Sequence, residues 1–233
     1  MASRMSDGGS LVHQAVQAVR DHIKNNDLKV GDTLPGEGHF AGALGVSRAV
    51  MREAFGALAA LRLIDVGNGR RARVGAIDGS VMATSLDHAI ATAQVSIREV
   101  WDVRRTLELR TAELAATHRS EAEAAEIVRL ADGIAHAGDD MLLRTHHDLA
   151  FHAAIARASH NHLFLQIVRA FAPMMEVAIP AAWQTRKAEI ERERIAQLHQ
   201  MLAQAIAKKD PDGARAAMDA HFDASIRDQL SAS

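Results

Sequence analysis

The chain has no cysteine and no tyrosine, only four prolines, and aromatic residues make up 3% of its 233 positions. Without cysteine there is no disulfide framework and no thiolate metal site. Few prolines in an alanine-rich chain favour helix. No run of roughly eighteen uncharged apolar residues occurs, so no membrane-spanning segment is expected. The opening stretch, MASRMSDGGS, lacks the apolar core of a signal peptide and reads as a flexible lead-in over residues 1–9. A cytoplasmic protein of one large domain or two smaller ones is expected. A large excess of one charge is also missing: the net charge of -2 argues against a surface wholly coated by nucleic acid.

Charge is nevertheless unevenly placed. Met1–Asp78 carries 10 Lys/Arg against 8 Asp/Glu, and the rest of the chain 17 against 21. Between Gly45 and Gly75 there are six arginines and two acids, Glu53 and Asp65, a basic patch on an acidic protein. In the same region Val12, Val16, Val19 and Ile23 recur at helical spacing. DLKVGDTLPGEG is turn chemistry. A short helix from Glu37 to Leu44, with Phe40 and Leu44 inward, ends at Gly45. Ser47 is placed to cap a third helix whose inward stripe is read as Val50, Ala54, Leu58 and Leu61. Ile64, Val66, Ala72 and Val74 then alternate around Gly67-Asn68-Gly69, a hairpin signal.

Three helices with a tight turn between the second and third, followed by a two-stranded ribbon, outline a winged helix-turn-helix over residues 10–76. In that motif the first turn of the recognition helix enters the major groove. Arg48 and Arg52 lie one helical turn apart on one face, and a duplex would supply the negative partner that the positive end of a helix dipole does not. Arginine can bond guanine O6 and N7 bidentately or grip phosphate. Asn68, Gly69 and Arg70 form a wing tip able to reach the backbone or minor groove. An ordinary solvated basic face is the alternative.

The run TLPGEGHFAGALGVSRAVMREAFGALAALRLIDVGNGRRARV resembles the N-terminal domain of GntR-type bacterial transcription regulators. Leu34-Pro35, Glu37, the LGVSR run, REA and the glycine-containing wing carry the likeness. The resemblance implies operator contacts at Ser47, Arg48, Arg52, Asn68, Gly69 and Arg70. Where the family usually has an arginine after the glutamate, this chain has Gly38, which removes one expected contact.

Residues 77–82 read as a linker. Beyond it only helical signals appear. SIRE (Ser96, Glu99) and SEAE (Ser120, Glu123) are capping boxes, and Asp210-Pro211 is a cap followed by proline at the first helical position. Helices are expected at about 81–93, 97–118, 121–136, 140–158, 162–184, 187–208 and 211–230, with Pro173 and Pro180 kinking or breaking the fifth. The fold class is thus mostly α: a winged helix-turn-helix joined to an all-helical bundle of six or seven helices over residues 83–230.

Thirteen histidines are a high load. Asp148 and His152 are four apart, on one helix face. His199 lies eleven residues before Asp210 and His221 eleven after it, so on antiparallel helices they reach a similar height. One carboxylate and three imidazoles then converge. Such a set suits a divalent transition metal, zinc first, with nickel, iron, copper or manganese as alternatives to hard magnesium or calcium. Separate polar positions are the plain alternative. His13, His22, His39, His88, His118 and His136 read as surface residues, and His146, His147, His160 and His162 carry no assigned role.

DVRRTLELRTAELAA, HDLAFHAAIARASHN, LHQMLAQAIAKKD and ARAAMDAHF resemble the FCD domain, the helical ligand-binding domain of the FadR branch of GntR regulators. The resemblance implies metal ligation by Asp148, His152, His199 and His221. It implies a carboxylate contact at Arg104, which an intra-bundle salt bridge would also explain. It marks Asn161 as either a ligand contact or a helix cap. Long-chain acyl-CoA ligands go with family members that lack the histidine set. The expected protein is a homodimeric operator-binding repressor or activator, a repressor first, controlled by a small carboxylate beside a divalent metal. A regulator whose metal is structural or is itself the signal is the alternative, and a metallohydrolase a remote one.

Overall fold

The computed structural model describes residues 7–185 and 189–230. By internal contacts the chain divides into two compact units, meeting at Val81/Met82. The first contains α1 (Asp7–Asn25), α2 (Glu37–Leu44), α3 (Arg48–Ala60), β1 (Ile64–Gly67) and β2 (Arg70–Val74). Helix α1 takes in residues 7–9 of the expected lead-in, and residues 1–6 lie outside the described residues.

Gly45, at φ 66, ends α2 with its N–H on the Ala41 carbonyl, a left-handed stop that favours glycine. Ser47 then starts α3, its hydroxyl accepting from Val50 N at 3.2 Å. The inward stripe of α3 is Met51, Ala54, Phe55 and Leu58. Ala54 and Leu58 are inward as expected, whereas Met51 and Phe55 take the places given to Val50 and Leu61. Val50 is half-buried and Leu61 is 51% exposed, because Met51 and Phe55 together fill more of the core than Val50 and Leu61 would. Leu44 is exposed as well, so α2 contributes Phe40 and Ala41.

The hairpin pairs Ile64 with Val74 and Asp65 with Arg73, then slips between Asp65 and Gly67. That irregularity breaks the alternation and leaves Val66 exposed while Ile64, Ala72 and Val74 stay in the core. The segment read as turn chemistry also pairs with β2. Leu34 N donates to the Ala72 carbonyl at 2.8 Å, and Val74 N donates to the Asp32 carbonyl at 2.9 Å. These bonds cover one edge of the wing.

The second unit is helical throughout its described residues: α4 (Ser80–Ala91, beginning just before the boundary), α5 (Ile97–His118), α6 (Glu121–His136), α7 (Met141–Ala158), α8 (His162–Ala170), α9 (Ala172–Thr185), α10 (Glu189–Ala207) and α11 (Pro211–Leu230). Helix α4 starts inside the expected linker. The expected fifth helix is two helices bent by 51°, so eight helices replace the expected six or seven. Pro173 is the cause: it cannot donate to the preceding turn, whereas Pro180 stays within α9. The expected start at 187 falls outside the described residues.

Both capping boxes form, Ser96 with Glu99 and Ser120 with Glu123. Asp210 Oδ1 accepts from Gly213 N at 2.9 Å at the start of α11. The bundle core is built largely on alanine, with Ala112, Ala115, Ala116, Ala131, Ala154, Ala158, Ala203 and Ala214 all buried around Ile127, Phe151, Leu202, Ile206 and Phe222. Small side chains let α5, α7, α10 and α11 approach closely enough for polar groups on facing turns to meet. No single described helix is long and apolar enough to cross a membrane.

Candidate functional site

The first unit presents its basic groups on α3 and the hairpin. Arg48, Arg52 and Arg70 are exposed, as are Ser47, Asn68 and Gly69. Arg48 makes no ion pair among the described residues, and the Arg52–Glu37 contact at 3.8 Å is solvent-exposed and weak. Gly69, at φ 72, turns the hairpin tip. A Cβ on Gly67 would lie 2.3 Å from Arg70 Nε, so Gly67 makes room for the guanidinium over the turn. A Cβ on Gly38 would stand 3.9 Å from Arg48 Nη2, so the position without its expected arginine adjoins the Arg48 head.

The second unit brings three histidines together. Helix α7 supplies His152, α10 supplies His199 and α11 supplies His221. Each offers a nitrogen within 4.8 Å of the others, and all three are buried. The His199 and His221 ring centroids are 4.4 Å apart, as equal spacing from the Asp210 turn requires. Asp148, one turn before His152, places Oδ1 3.0 Å from His199 Nε2 and Oδ2 3.8 Å from His152 Nε2.

Hydrogen bonding shows that these residues fit a cation. His199 Nδ1 faces the Ile195 carbonyl at 2.8 Å and must donate to it, while Nε2 faces a second acceptor, Asp148. His152 likewise lies between Glu108 at Nδ1 and Asp148 at Nε2. A neutral imidazole has one proton for two acceptors. Either a second proton or a cation between the Nε2 atoms and Asp148 would satisfy both rings, and the buried oxygen-and-nitrogen donor set fits a cation. His221 Nδ1 is buried without a hydrogen-bond partner among the described residues.

Burial alone would raise the Asp148 carboxyl, but the His199 hydrogen bond and the charge of His152, His199 and His221 hold it far below its ordinary value. Burial pushes His221 well down, with its two histidine neighbours adding to the effect. Burial also opposes charge on His152, but Glu108 and then Asp148 overcome it and raise that ring. Ion and proton compete for the same His152 nitrogen. In metal-free protein His152 contributes stability below about 6.5, the ordinary histidine value. That contribution is lost as pH rises through its raised value. A metal held at this nitrogen would show the opposite dependence: its occupancy, measured by equilibrium dialysis, is expected to fall as pH is lowered through the raised value of His152. A flat profile across that value would exclude these histidines as ligands.

Arg104 is buried, and its Nε donates to Glu108 Oε1 at 2.8 Å, so the salt bridge weighed from sequence is formed. Its guanidinium carbon sits 4.9 Å from the Trp101 ring centroid and 5.6 Å from that of Phe222. Arg104 and His152 also line a cavity of about 220 Å³ whose other walls include Leu149, Val168, Arg169 and Met175. Asn161 is not among the residues lining it. It is exposed and caps α8, its Oδ1 accepting from Leu163 N at 3.0 Å, which is the helix-cap alternative given to it above. Glu108 was missed as a site residue. Its sequence signal was the i,i+4 spacing to Arg104, which says nothing of His152 on another helix.

Of the expected surface histidines, His13, His39, His88, His118 and His136 are exposed. His22 is half-buried, its ring 5.3 Å from Phe40. His147 is half-buried against Gly133, where a Cβ would lie 2.9 Å from the imidazole.

Residues 11–74 match the bacterial regulatory proteins of the gntR family, and residues 99–224 match the FCD domain. The HTH-type transcriptional regulator LutR of Bacillus subtilis is 30% identical over 90% of this chain and 96% of its own length. The Glc operon transcriptional activator of Escherichia coli K12 is 29% identical over 68% of this chain and 65% of its own length. The HTH-type transcriptional repressor NanR of Salmonella schwarzengrund is 26% identical over 86% of this chain and 77% of its own. Among solved structures, Streptococcus agalactiae GntR superposes with a TM-score of 0.65 at 22% identity, covering 93% of this chain and 99% of that one, a likeness of fold. With a matching DNA-reading head and a matching helical domain in one chain, this protein belongs to the GntR family of bacterial transcription regulators and carries an FCD domain.

Proposed function

We propose that the chain is a ligand-responsive repressor of the FadR branch, acting in the cytoplasm as a homodimer on a near-palindromic operator. A small carboxylate metabolite bound beside a divalent metal controls it. The observation that carries this reading is the buried approach of His152, His199 and His221 to one another, with Asp148 against two of them and a cavity alongside. Asp148, His152, His199 and His221 would hold the ion, zinc first, with nickel, iron or manganese as alternatives. The ion supplies a positive centre for an anion. Arg104 reaches the same cavity with a second positive group, and Leu149, Val168 and Met175 limit the occupant to a small molecule. At about 30 Å³ per water, 220 Å³ has room for about seven waters, hence for a short acid.

The acid acts only as far as it prefers one arrangement of the two DNA-reading heads over another. Relatives named both as activator and as repressor belong to the same family, so the sign is read by experiment. Purified protein is assayed for metal, and operator binding is titrated with a panel of two- to six-carbon acids. Release of operator by one acid, only in metal-loaded protein, supports the reading. Indifference to every acid overturns it.

A second reading, in which the metal is structural or is itself the signal, draws on one observation: Arg104 already has a carboxylate partner in Glu108. Operator binding that follows metal alone would establish it. The dimer has its own check, because two operator half-sites call for two heads. Light scattering at micromolar concentration is expected to give twice the 25.1 kDa chain mass. A monomer with and without operator would contradict it.

A further inference from the structure

We propose that Glu108 is a positioning residue that ties anion recognition at Arg104 to metal binding at His152, an inference that rests on the metal-and-acid reading above. Glu108 is 1% exposed, and its two oxygens are divided between two side chains. Oε1 accepts from Arg104 Nε at 2.8 Å, and Oε2 accepts from His152 Nδ1. Arg104 and Glu108 stand on α5, and His152 on α7. One carboxylate therefore joins the group suited to an acid to a group suited to a metal.

Each bond fixes something the other site needs. Donation from Nδ1 to Glu108 sets the His152 tautomer and turns the Nε2 lone pair toward Asp148 and the other histidines. Donation from Nε pins one edge of the Arg104 guanidinium. On the other edge Nη1 meets only the Met175 sulfur, a weak acceptor, and Nη2 has no hydrogen-bond partner among the described residues. That edge belongs to a side chain lining the cavity, so it is the one an acid would use. With a cation held at Nε2, His152 would donate more strongly to Glu108, and Glu108 would hold Arg104 in a more fixed place. An anion on Arg104 steadies the same carboxylate from the other side. Metal and acid then tighten each other by one shared factor.

Glu108→Gln separates this role from space filling. A glutamine has the same shape but a single acceptor oxygen, so it cannot serve Arg104 and His152 together. Zinc affinity is measured by chelator competition with metal alone and again with saturating acetate, in parent and E108Q. The visible bands of cobalt-substituted protein are recorded in parallel. The parent is expected to bind zinc about 10-fold more tightly with acetate, within the usual range of coupling between sites. E108Q is expected to bind zinc about 10- to 100-fold more weakly, with shifted cobalt bands and an acetate enhancement at least about threefold smaller. Enhancement from direct acetate–metal contact is common to both proteins, so the difference reads the Glu108 link.

E108Q that folds and matches the parent in zinc affinity and in acetate enhancement would overturn the role of Glu108 while leaving the metal-and-acid reading intact. A parent that binds no zinc would overturn both. Arg104→Lys covers the case in which E108Q fails to fold. It leaves every proposed ligand in place, and its cobalt bands are expected to shift because Glu108 transmits the change. Unshifted bands in that variant count against the proposal.

Discussion

Replacing His199 with alanine is expected to strip the bundle of its ion and of its response to acid together. His199 meets two other members of the set closely: its ring lies 4.4 Å from His221, and its Nε2 is 3.0 Å from Asp148. Loss of a supporting partner of a ligand typically costs 10- to 100-fold in metal affinity, so loss of a ligand itself is expected to cost at least about 100-fold. The variant also loses the bond to the Ile195 carbonyl and the edge contact with Phe151. A drop of about 1–3 kcal/mol in metal-free stability is expected from those losses. Elemental analysis, thermal melting and operator binding with and without acid separate the effects. Full metal occupancy in His199→Ala would remove His199 from the ligand set. A variant without metal that still releases operator at the parent's acid concentration would detach the metal from regulation.

The second large effect is expected at the DNA. Arg52 lies one turn into α3, exposed, with no partner stronger than a 3.8 Å contact to Glu37. If it reads a base, Arg52→Ala loses about 1–3 kcal/mol of operator affinity, about 5- to 150-fold, and relaxes preference at one base pair. Arg70→Ala at the hairpin tip is expected to weaken all sequences alike and to lower the salt slope by about one contact. Gel-shift titrations at several salt concentrations test both, with melting as a control for folding. Unchanged affinity in the two folded variants would exclude this docking surface.

The histidine cluster was visible in the sequence because its geometry is local. Asp148 and His152 share a face by spacing alone, and His199 and His221 are matched in height by the short turn at Asp210. Glu108 was hidden because its meeting with His152 depends on how α5 and α7 pack, which no spacing along one helix reveals. Asn161 was ambiguous for a related reason: asparagine suits a cap and a ligand equally, and only its exposed place at the start of α8 decides. In the first unit the order of elements could be read from turn residues and periodicity. The inward face of α3 could not, because Val50 and Met51 are both apolar and the larger side chain took the core. Val66 left the core through a backbone irregularity that alternation cannot foresee.

The alanines of the bundle core have a mechanical consequence. Ala112, Ala115, Ala116, Ala154, Ala158, Ala203 and Ala214 have no rotamers to exchange. Long flexible side chains can absorb a disturbance by local reshuffling, which in this core falls to Met174, Met175 and Met218 rather than to the alanine contacts. Where alanine meets alanine between helices, a displacement at the histidines of α7, α10 or α11 would have to move helix against helix rather than be taken up by a side chain.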